Sequence, residues 1–200
     1  MSLQALDIRY AIGRKPVLKG VDFLARAGEV TAIVGPNGSG KTTLMRALTG
    51  EVTAEGRIAL NGRDTTTAKP YELAALRGVL PQATVLAFPF TVIEVVRMGL
   101  QAGLHAARPH LAESALEAVG LAGYGNRFFQ ELSGGEQQRA QLARVLAQVW
   151  DPVVDATPRW LFLDEPVSSL DIGQQLGVMQ LVRSYDDRGG GVVAVMHDLN

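Results

Sequence analysis

One octapeptide constrains this chain more than any other feature: Gly35-Pro36-Asn37-Gly38-Ser39-Gly40-Lys41-Thr42. It follows an apolar run, Val30-Thr31-Ala32-Ile33-Val34, and leads into a helical pattern over Lys41 to Leu48, with Gly50 where a helix end would fall. Glycine at these spacings lets successive backbone N–H groups turn inward, and the helix N-terminus adds the positive end of its dipole. Both favour a polyphosphate. Lys41 brings a positive charge for the β- and γ-phosphates, and the Thr42 hydroxyl can ligate Mg²⁺. On its own the segment could be a glycine-rich turn with a chance lysine. The strand before it and the helix after it make it a phosphate loop. The run before the loop reads as a strand covered on both faces.

Two further segments carry chemistry. Leu161-Phe162-Leu163-Asp164-Glu165 is an apolar strand ending in two acids. Their place is the carboxyl edge of a sheet, where ligands of open α/β folds sit. Asp164 is suited to hold Mg²⁺, through water, and Glu165 to orient or deprotonate an attacking water. Leu132-Ser133-Gly134-Gly135-Glu136 opens a helix whose apolar face includes Leu142, Val145, Leu146 and Val149. Ser133 with Glu136 three residues later is a capping box. A serine and two glycines at a helix N-terminus also make a second anion cradle. Two cradles and one phosphate-loop lysine suggest nucleotide shared between two copies.

The rest of the chain frames these motifs. Residues 3 to 24 carry partly alternating apolar residues, among them Leu3, Leu6, Ile8, Tyr10, Val17, Val21 and Phe23, typical of a half-exposed antiparallel sheet. Arg57 to Leu60 followed by Asn61-Gly62 reads as a strand and tight turn. From about residue 90 to 150 the spacing turns helical, over Val92 to Leu100, Ala106 to Val119 and Gly135 to Val149. A strand at Trp160 to Leu163, a helix over Gly173 to Ser184 with Leu176, Met179, Gln180 and Leu181 at three- and four-residue steps, and a strand at Val192 to Met196 complete the pattern. Strands alternating with helices imply a largely parallel sheet. Zero cysteines exclude disulfides, zinc–thiolate sites and cysteine nucleophiles, and 19 basic against 20 acidic residues lack the basic footprint of a dedicated nucleic-acid binder. No apolar run reaches the ~20 residues of a spanning helix, and the N-terminus lacks a secretory pattern.

In this order the phosphate loop, the Leu-Ser-Gly-Gly-Glu segment and the Asp-Glu strand resemble the ATP-binding subunits of ABC transporters. Smaller matches extend the resemblance over residues 3 to 200. Tyr10 stands where that family stacks an aromatic ring on adenine. Gln82 resembles its Q-loop glutamine, Ser168-Ser169-Leu170-Asp171 its D-loop, and His197 its switch histidine. The resemblance implies an α/β P-loop NTPase with a mostly parallel core sheet, an N-terminal antiparallel β-subdomain and an inserted α-helical subdomain over residues 90–150. Residues 1–200 would then be a single nucleotide-binding domain. By the same resemblance Tyr10 and Gly35 to Thr43 bind ATP, while Ser133, Gly134 and Gly135, with Glu136 in the same segment, reach the γ-phosphate bound to a second copy. Thr42, Gln82 and Asp164 hold Mg²⁺. Lys41, Glu165 and His197 serve hydrolysis, and Asp171 lies at the seam between the two copies.

The implied partners are a second copy of the chain, two transmembrane permease subunits and, indirectly, a periplasmic substrate-binding protein, with no nucleic acid. The implied place is the cytoplasmic face of the inner membrane, peripherally attached. Phe88-Pro89-Phe90-Thr91-Val92 lies near the expected permease groove, one phenylalanine in the core and the other by the groove. This stretch through Leu100 resembles importers of haem, ferric siderophores and cobalamin. Arg77 to Ala83 and the segment Trp150 to Arg159 are nearer the haem importers of Gram-negative bacteria. Siderophore or cobalamin import stays open, as does a soluble ABC-type ATPase outside transport. The family continues past its switch histidine. The resemblance therefore implies that the C-terminal part is missing, leaving apolar surface uncovered on the last strand and nearby helices.

Overall fold

The computed structural model describes residues 1–82 and 86–196. In chain order the strands and helices are β1 (Ser2–Ile12), β2 (Lys15–Arg26), β3 (Val30–Ile33), α1 (Lys41–Leu48), β4 (Glu55–Leu60), β5 (Arg63–Asp64), α2 (Pro70–Leu76), β6 (Arg77–Leu80), α3 (Val92–Ala102), α4 (Leu111–Ala118), α5 (Gly134–Gln148), β7 (Val153–Val154), β8 (Thr157–Pro158), β9 (Trp160–Asp164), α6 (Ile172–Asp187) and β10 (Gly191–Val195). An antiparallel sheet runs β2-β1-β4-β5, and a parallel sheet runs β3-β10-β9-β6.

The parallel sheet separates two cores by simple alternation. Leu161 and Leu163 of β9, with Val192 and Ala194 of β10, face the core that contains α3, α4, α5 and the inner side of α6. Trp160 and Phe162, with Val193 and Val195, face the core shared by α1 and the N-terminal sheet. Every residue of β9 and β10 is buried, as their continuous apolar sequence requires.

β3 departs from the sequence reading. It is an edge strand of the parallel sheet, paired with β10 alone among the described strands. Val30 and Ala32 are exposed, while Thr31 and Ile33 are half-buried. An apolar run reports how much cover a strand can use, not where it stands in the sheet. Along α6 the sequence reading holds only in part, with Leu181 packed against the core. Val178, Val182 and Tyr185 are buried, whereas Leu176 is 58% and Ile172 84% exposed. The last strand, β10, is fully covered, and uncovered apolar side chains stand on α6 and β3 instead. In β1 the buried positions are Leu3, Ala5 and Ile8, and Leu6 faces solvent. The register slips between Ala5 and Ile8, where Asp7 adopts φ +50°, so the strict alternation breaks at a bulge. α4 starts at Leu111, because Pro109 stands just ahead of it in a turn.

Candidate active site

The site is assembled by strand direction. Ile33, Val195 and Asp164 lie in register across β3, β10 and β9, and Leu80 of β6 pairs with Leu163. All four strands run the same way. The segments that leave them therefore emerge at one edge: the phosphate loop, the Gln82 segment, and the Asp164-Glu165 pair.

In the loop, Gly38 and Gly40 adopt φ of +77° and +96°, the left-handed region that favours glycine. Gly40 precedes α1, and its carbonyl accepts the Leu44 N–H at 2.8 Å. A Cβ on Gly40 would stand 3.1 Å from Val17 Cγ1, so the β-subdomain closes directly over the loop. Lys41 Nζ reaches back to the carbonyls of Gly35 at 2.6 Å and Pro36 at 3.1 Å. The ammonium thus arches across the loop, where an incoming phosphate oxygen could replace a carbonyl contact. The first turn of α1 carries no acid to compete with an anion for its N–H groups.

The Thr42 hydroxyl donates to Asp164 Oδ1 at 3.3 Å, joining residues 122 positions apart. Burial pushes the Asp164 carboxyl above the usual carboxylate range; the Thr42 hydrogen bond opposes this and the Glu165 charge adds to it. A buried acid beside a second acid and a hydroxyl suits a divalent cation, which would relieve both desolvation and repulsion. Two protein ligands with phosphate oxygens is the usual way Mg²⁺ is held. Among the described residues no group of three His, Asp or Glu side chains forms a protein-only metal cage.

Gln82, expected on the metal side, lies against the acid pair. Its Nε2 donates to Glu165 Oε2 at 2.8 Å. Glu165 itself has φ +53°, left-handed backbone in a non-glycine residue. At the start of α5, Ser133 Oγ accepts the Glu136 N–H at 3.4 Å. In return Glu136 Oε2 accepts from the Ser133 hydroxyl and N–H, both at 2.8 Å. Those bonds hold the Glu136 carboxyl below its usual range. Gly134 is open, with nothing within 4 Å of an added Cβ. Asp171 caps α6, accepting the Gln174 N–H at 2.8 Å. Tyr10 is half-buried and pairs in register with Leu18, which borders Gly40, so its ring stands on the same flank as the loop. Thr43 is half-buried in the first turn of α1. Phe90 packs against the helical core, while Phe88 is 68% exposed. His197 lies outside the described residues.

The family model described as ABC transporter matches residues 18–168. The chain belongs to the ABC transporter family. Similar ABC proteins include the hemin import ATP-binding protein HmuV of Roseobacter denitrificans, 64% identical over all of this chain and 77% of the relative. The HmuV of Jannaschia sp. is 63% identical, covering 97% of this chain and 72% of its own. Among solved structures, the dimeric MJ0796 ABC transporter cassette has a TM-score of 0.84 at 27% identity, covering 99% of this chain and 89% of that one. The ABC ATPase fold expected from the motifs is therefore the fold of this chain, with a parallel core sheet and an antiparallel β-subdomain. No helix among the described residues is long and apolar enough to cross a membrane.

Sequence reasoning missed Gln138. Its Nε2 donates to the Glu165 carbonyl at 2.8 Å, and its Oε1 accepts the Ser169 N–H at 3.3 Å. Within Glu136-Gln137-Gln138-Arg139 nothing distinguishes it from a solvated helix polar residue.

Proposed function

We propose that the chain is the ATP-hydrolysing, energy-coupling subunit of a haem import complex, working peripherally at the cytoplasmic face of the inner membrane. The chain would act as one nucleotide-binding domain, with the helices of residues 90–150 as its inserted subdomain. The observation that carries the ATPase reading is the Thr42–Asp164 contact at 3.3 Å with Glu165 next in the chain, beside the phosphate loop. The haem assignment is supported by relatives named hemin import ATP-binding proteins at 54–64% identity.

ATP would lie with its adenine against Tyr10 and its phosphates within Gly35, Pro36, Asn37, Gly38, Ser39, Gly40, Lys41, Thr42 and Thr43. Lys41 neutralises charge on the β- and γ-phosphates. Thr42 and Asp164 would hold Mg²⁺, joined by Gln82 once its amide turns from Glu165; the ion would supply charge neutralisation at the phosphates. Glu165 orients the attacking water and accepts its proton as the new bond to the γ-phosphorus forms. The bond from that phosphorus to the bridging oxygen breaks, and ADP leaves with its electron pair. His197 would steady the water and γ-phosphate. Ser133, Gly134 and Gly135 of a second copy would close on the γ-phosphate, with Glu136 holding that cap and Asp171 at the seam. Closure adds these contacts and hydrolysis removes them, which is a differential affinity able to drive two permease subunits. A periplasmic binding protein would deliver the cargo, and no nucleic acid is involved.

The test pairs turnover with uptake. Purified protein should hydrolyse ATP only with Mg²⁺, and Glu165→Gln should reduce turnover by about 10³-fold or more while keeping nucleotide binding. In cells deleted for the gene, haem-dependent growth should fail and return with the wild-type chain. Turnover that survives Glu165→Gln would refute the base. Unchanged growth on haem, with lost growth on a ferric siderophore or cobalamin, would reassign the cargo.

A further inference from the structure

Glu165 carries a backbone conformation, φ +53°, that non-glycine residues keep only where their surroundings enforce it. Its N–H donates to the Val195 carbonyl at 3.1 Å, which fixes the strand side. Its own carbonyl accepts from Ser168 N at 3.3 Å and Ser168 Oγ at 3.2 Å, both inside the same turn. It also accepts from Gln138 Nε2 at 2.8 Å, the shortest of these bonds and one that comes from α5. The other end of the same amide accepts the Ser169 N–H at 3.3 Å. One side chain therefore spans the turn from Glu165 to Ser169, using a donor at one end and an acceptor at the other. A primary amide offers both at the end of one side chain.

The helix and the turn are also in backbone contact. A Cβ on Gly135 would stand 3.0 Å from the Ser169 carbonyl and 3.3 Å from Leu170 Cδ2. Gly134 is open. At the start of α5, Ser133 and Gly134 are exposed, Gly135 backs onto the Ser169–Leu170 turn, and Gln138, one helical turn beyond Gly134 on the same side, reaches that turn as well. α5 is a single helix of 15 residues, so its exposed N-terminus and Gln138 move together.

We infer that Gln138 is a positioning residue that makes the orientation of Glu165 in a subunit's own nucleotide site depend on the placement of that subunit's α5, whose N-terminus engages the nucleotide held by the second copy. The inference rests on the proposed two-copy ATPase. Seating α5 on the neighbour's nucleotide holds Gln138 against the Glu165–Ser169 turn and keeps the carboxylate on line. A displaced α5 draws the amide away, and the Glu165 turn relaxes. Occupancy of one site therefore tunes hydrolysis in the other, a coupling carried by two named hydrogen bonds.

The experiment compares wild type, Gln138→Glu, Gln138→Met and Glu165→Gln as full chains assembled with the permease. It measures steady-state hydrolysis over a range of ATP, equilibrium binding of a fluorescent ATP analogue, and melting temperature. Gln138→Glu keeps size and the acceptor but turns a carboxylate toward the Glu165 carbonyl. Gln138→Met keeps size and loses both bonds. Both should lower kcat on the order of 10- to 100-fold, the scale of a misplaced reacting group. KM and analogue binding should change less than about 2-fold, and the Hill coefficient for ATP should fall from its wild-type value toward about 1. A purely structural contact would lower the melting temperature and leave the Hill coefficient in place. Loss of the melting transition in both variants, a wild-type Hill coefficient of about 1, or variants retaining wild-type kcat and Hill coefficient would each overturn the inference. If Glu165→Gln leaves turnover intact, the base assignment has failed instead, and the two failures are read separately.

Discussion

The same substitution, glycine to alanine, should have opposite signs at two helical positions of this chain. Gly99 lies in α3, buried where that helix crosses α5. A Cβ placed on it would overlap the Arg144 carbonyl, and Gly103 meets the Gln148 carbonyl in the same way. The facing side of α5 uses Ala140, Ala143 and Ala147, all essentially inaccessible, so the two backbones approach closely. Gly177 lies in α6, exposed, with nothing within 4 Å of an added Cβ. Alanine gains about 1 kcal/mol over glycine in helix propensity at either site. At Gly99 this is set against overpacking of ~1–3 kcal/mol, toward the upper end because the obstacle is helix backbone, not the tip of a side chain. Gly99→Ala should therefore be less stable by about 1–2 kcal/mol. Gly177→Ala should be more stable by about 0.5–1 kcal/mol. Urea unfolding followed by far-UV circular dichroism gives both values from the shift in midpoint at constant slope. A Gly99→Ala protein as stable as wild type would refute the close crossing, and equal signs at the two sites would refute the reasoning from local space.

Two further outcomes follow from charges held out of water. Burial keeps the His105 imidazole below its usual range, with Arg108 and Arg159 adding to it and Asp151, 3.8 Å away, opposing. A depressed histidine favours the neutral ring, so its contribution is present above the unfolded value of ~6.5 and is lost as pH falls below it. Denaturant midpoints should drop between pH 7 and 5, and more steeply than in His105→Gln; parallel curves would sink that account. Asp164 is destabilised by its own burial and by Glu165, so Asp164→Asn should melt higher than wild type without metal and gain nothing from added MgCl₂. A variant that melts lower without metal, or that still responds to the ion, would contradict it.

What the sequence disclosed was local in the chain. Gly35 to Thr42 states its own turn chemistry, Asp164 and Glu165 follow a strand without a break, and Ser133 and Glu136 are one helical turn apart. Each needs only neighbours within eight residues. What stayed hidden depends on tertiary neighbours. Gln138 meets Glu165 across 27 residues, and its role is invisible among four polar residues in a row. The apolar run before the phosphate loop could not say that β3 ends a sheet. On α6, Leu176 and Met179 are exposed while Leu181 packs against the core, because the apolar residues Leu176, Val178, Met179, Leu181 and Val182 fit more than one face at helical spacing. Packing on β10 and α5 chose Val178, Val182 and Tyr185. At Asp7 a bulge resets the period, which turns Leu6 to solvent.

The placement of strain at Glu165 also has an energetic logic. Left-handed backbone costs a non-glycine residue roughly 1–2 kcal/mol. The residue stands one step beyond β9, where Trp160, Leu161, Phe162 and Leu163 are fully inaccessible. Burying four such side chains contributes about 6–12 kcal/mol, several times the local cost. The strand therefore stays in place whatever the next backbone angle does. A strained residue anchored to so firm a strand relaxes on the side away from it, at its carbonyl and the turn beyond. Those are the atoms that Ser168 and Gln138 hold. Stability and adjustability meet at one residue: the amide nitrogen of Glu165 belongs to the sheet through Val195, and its carbonyl is held by the Ser168 turn and by α5.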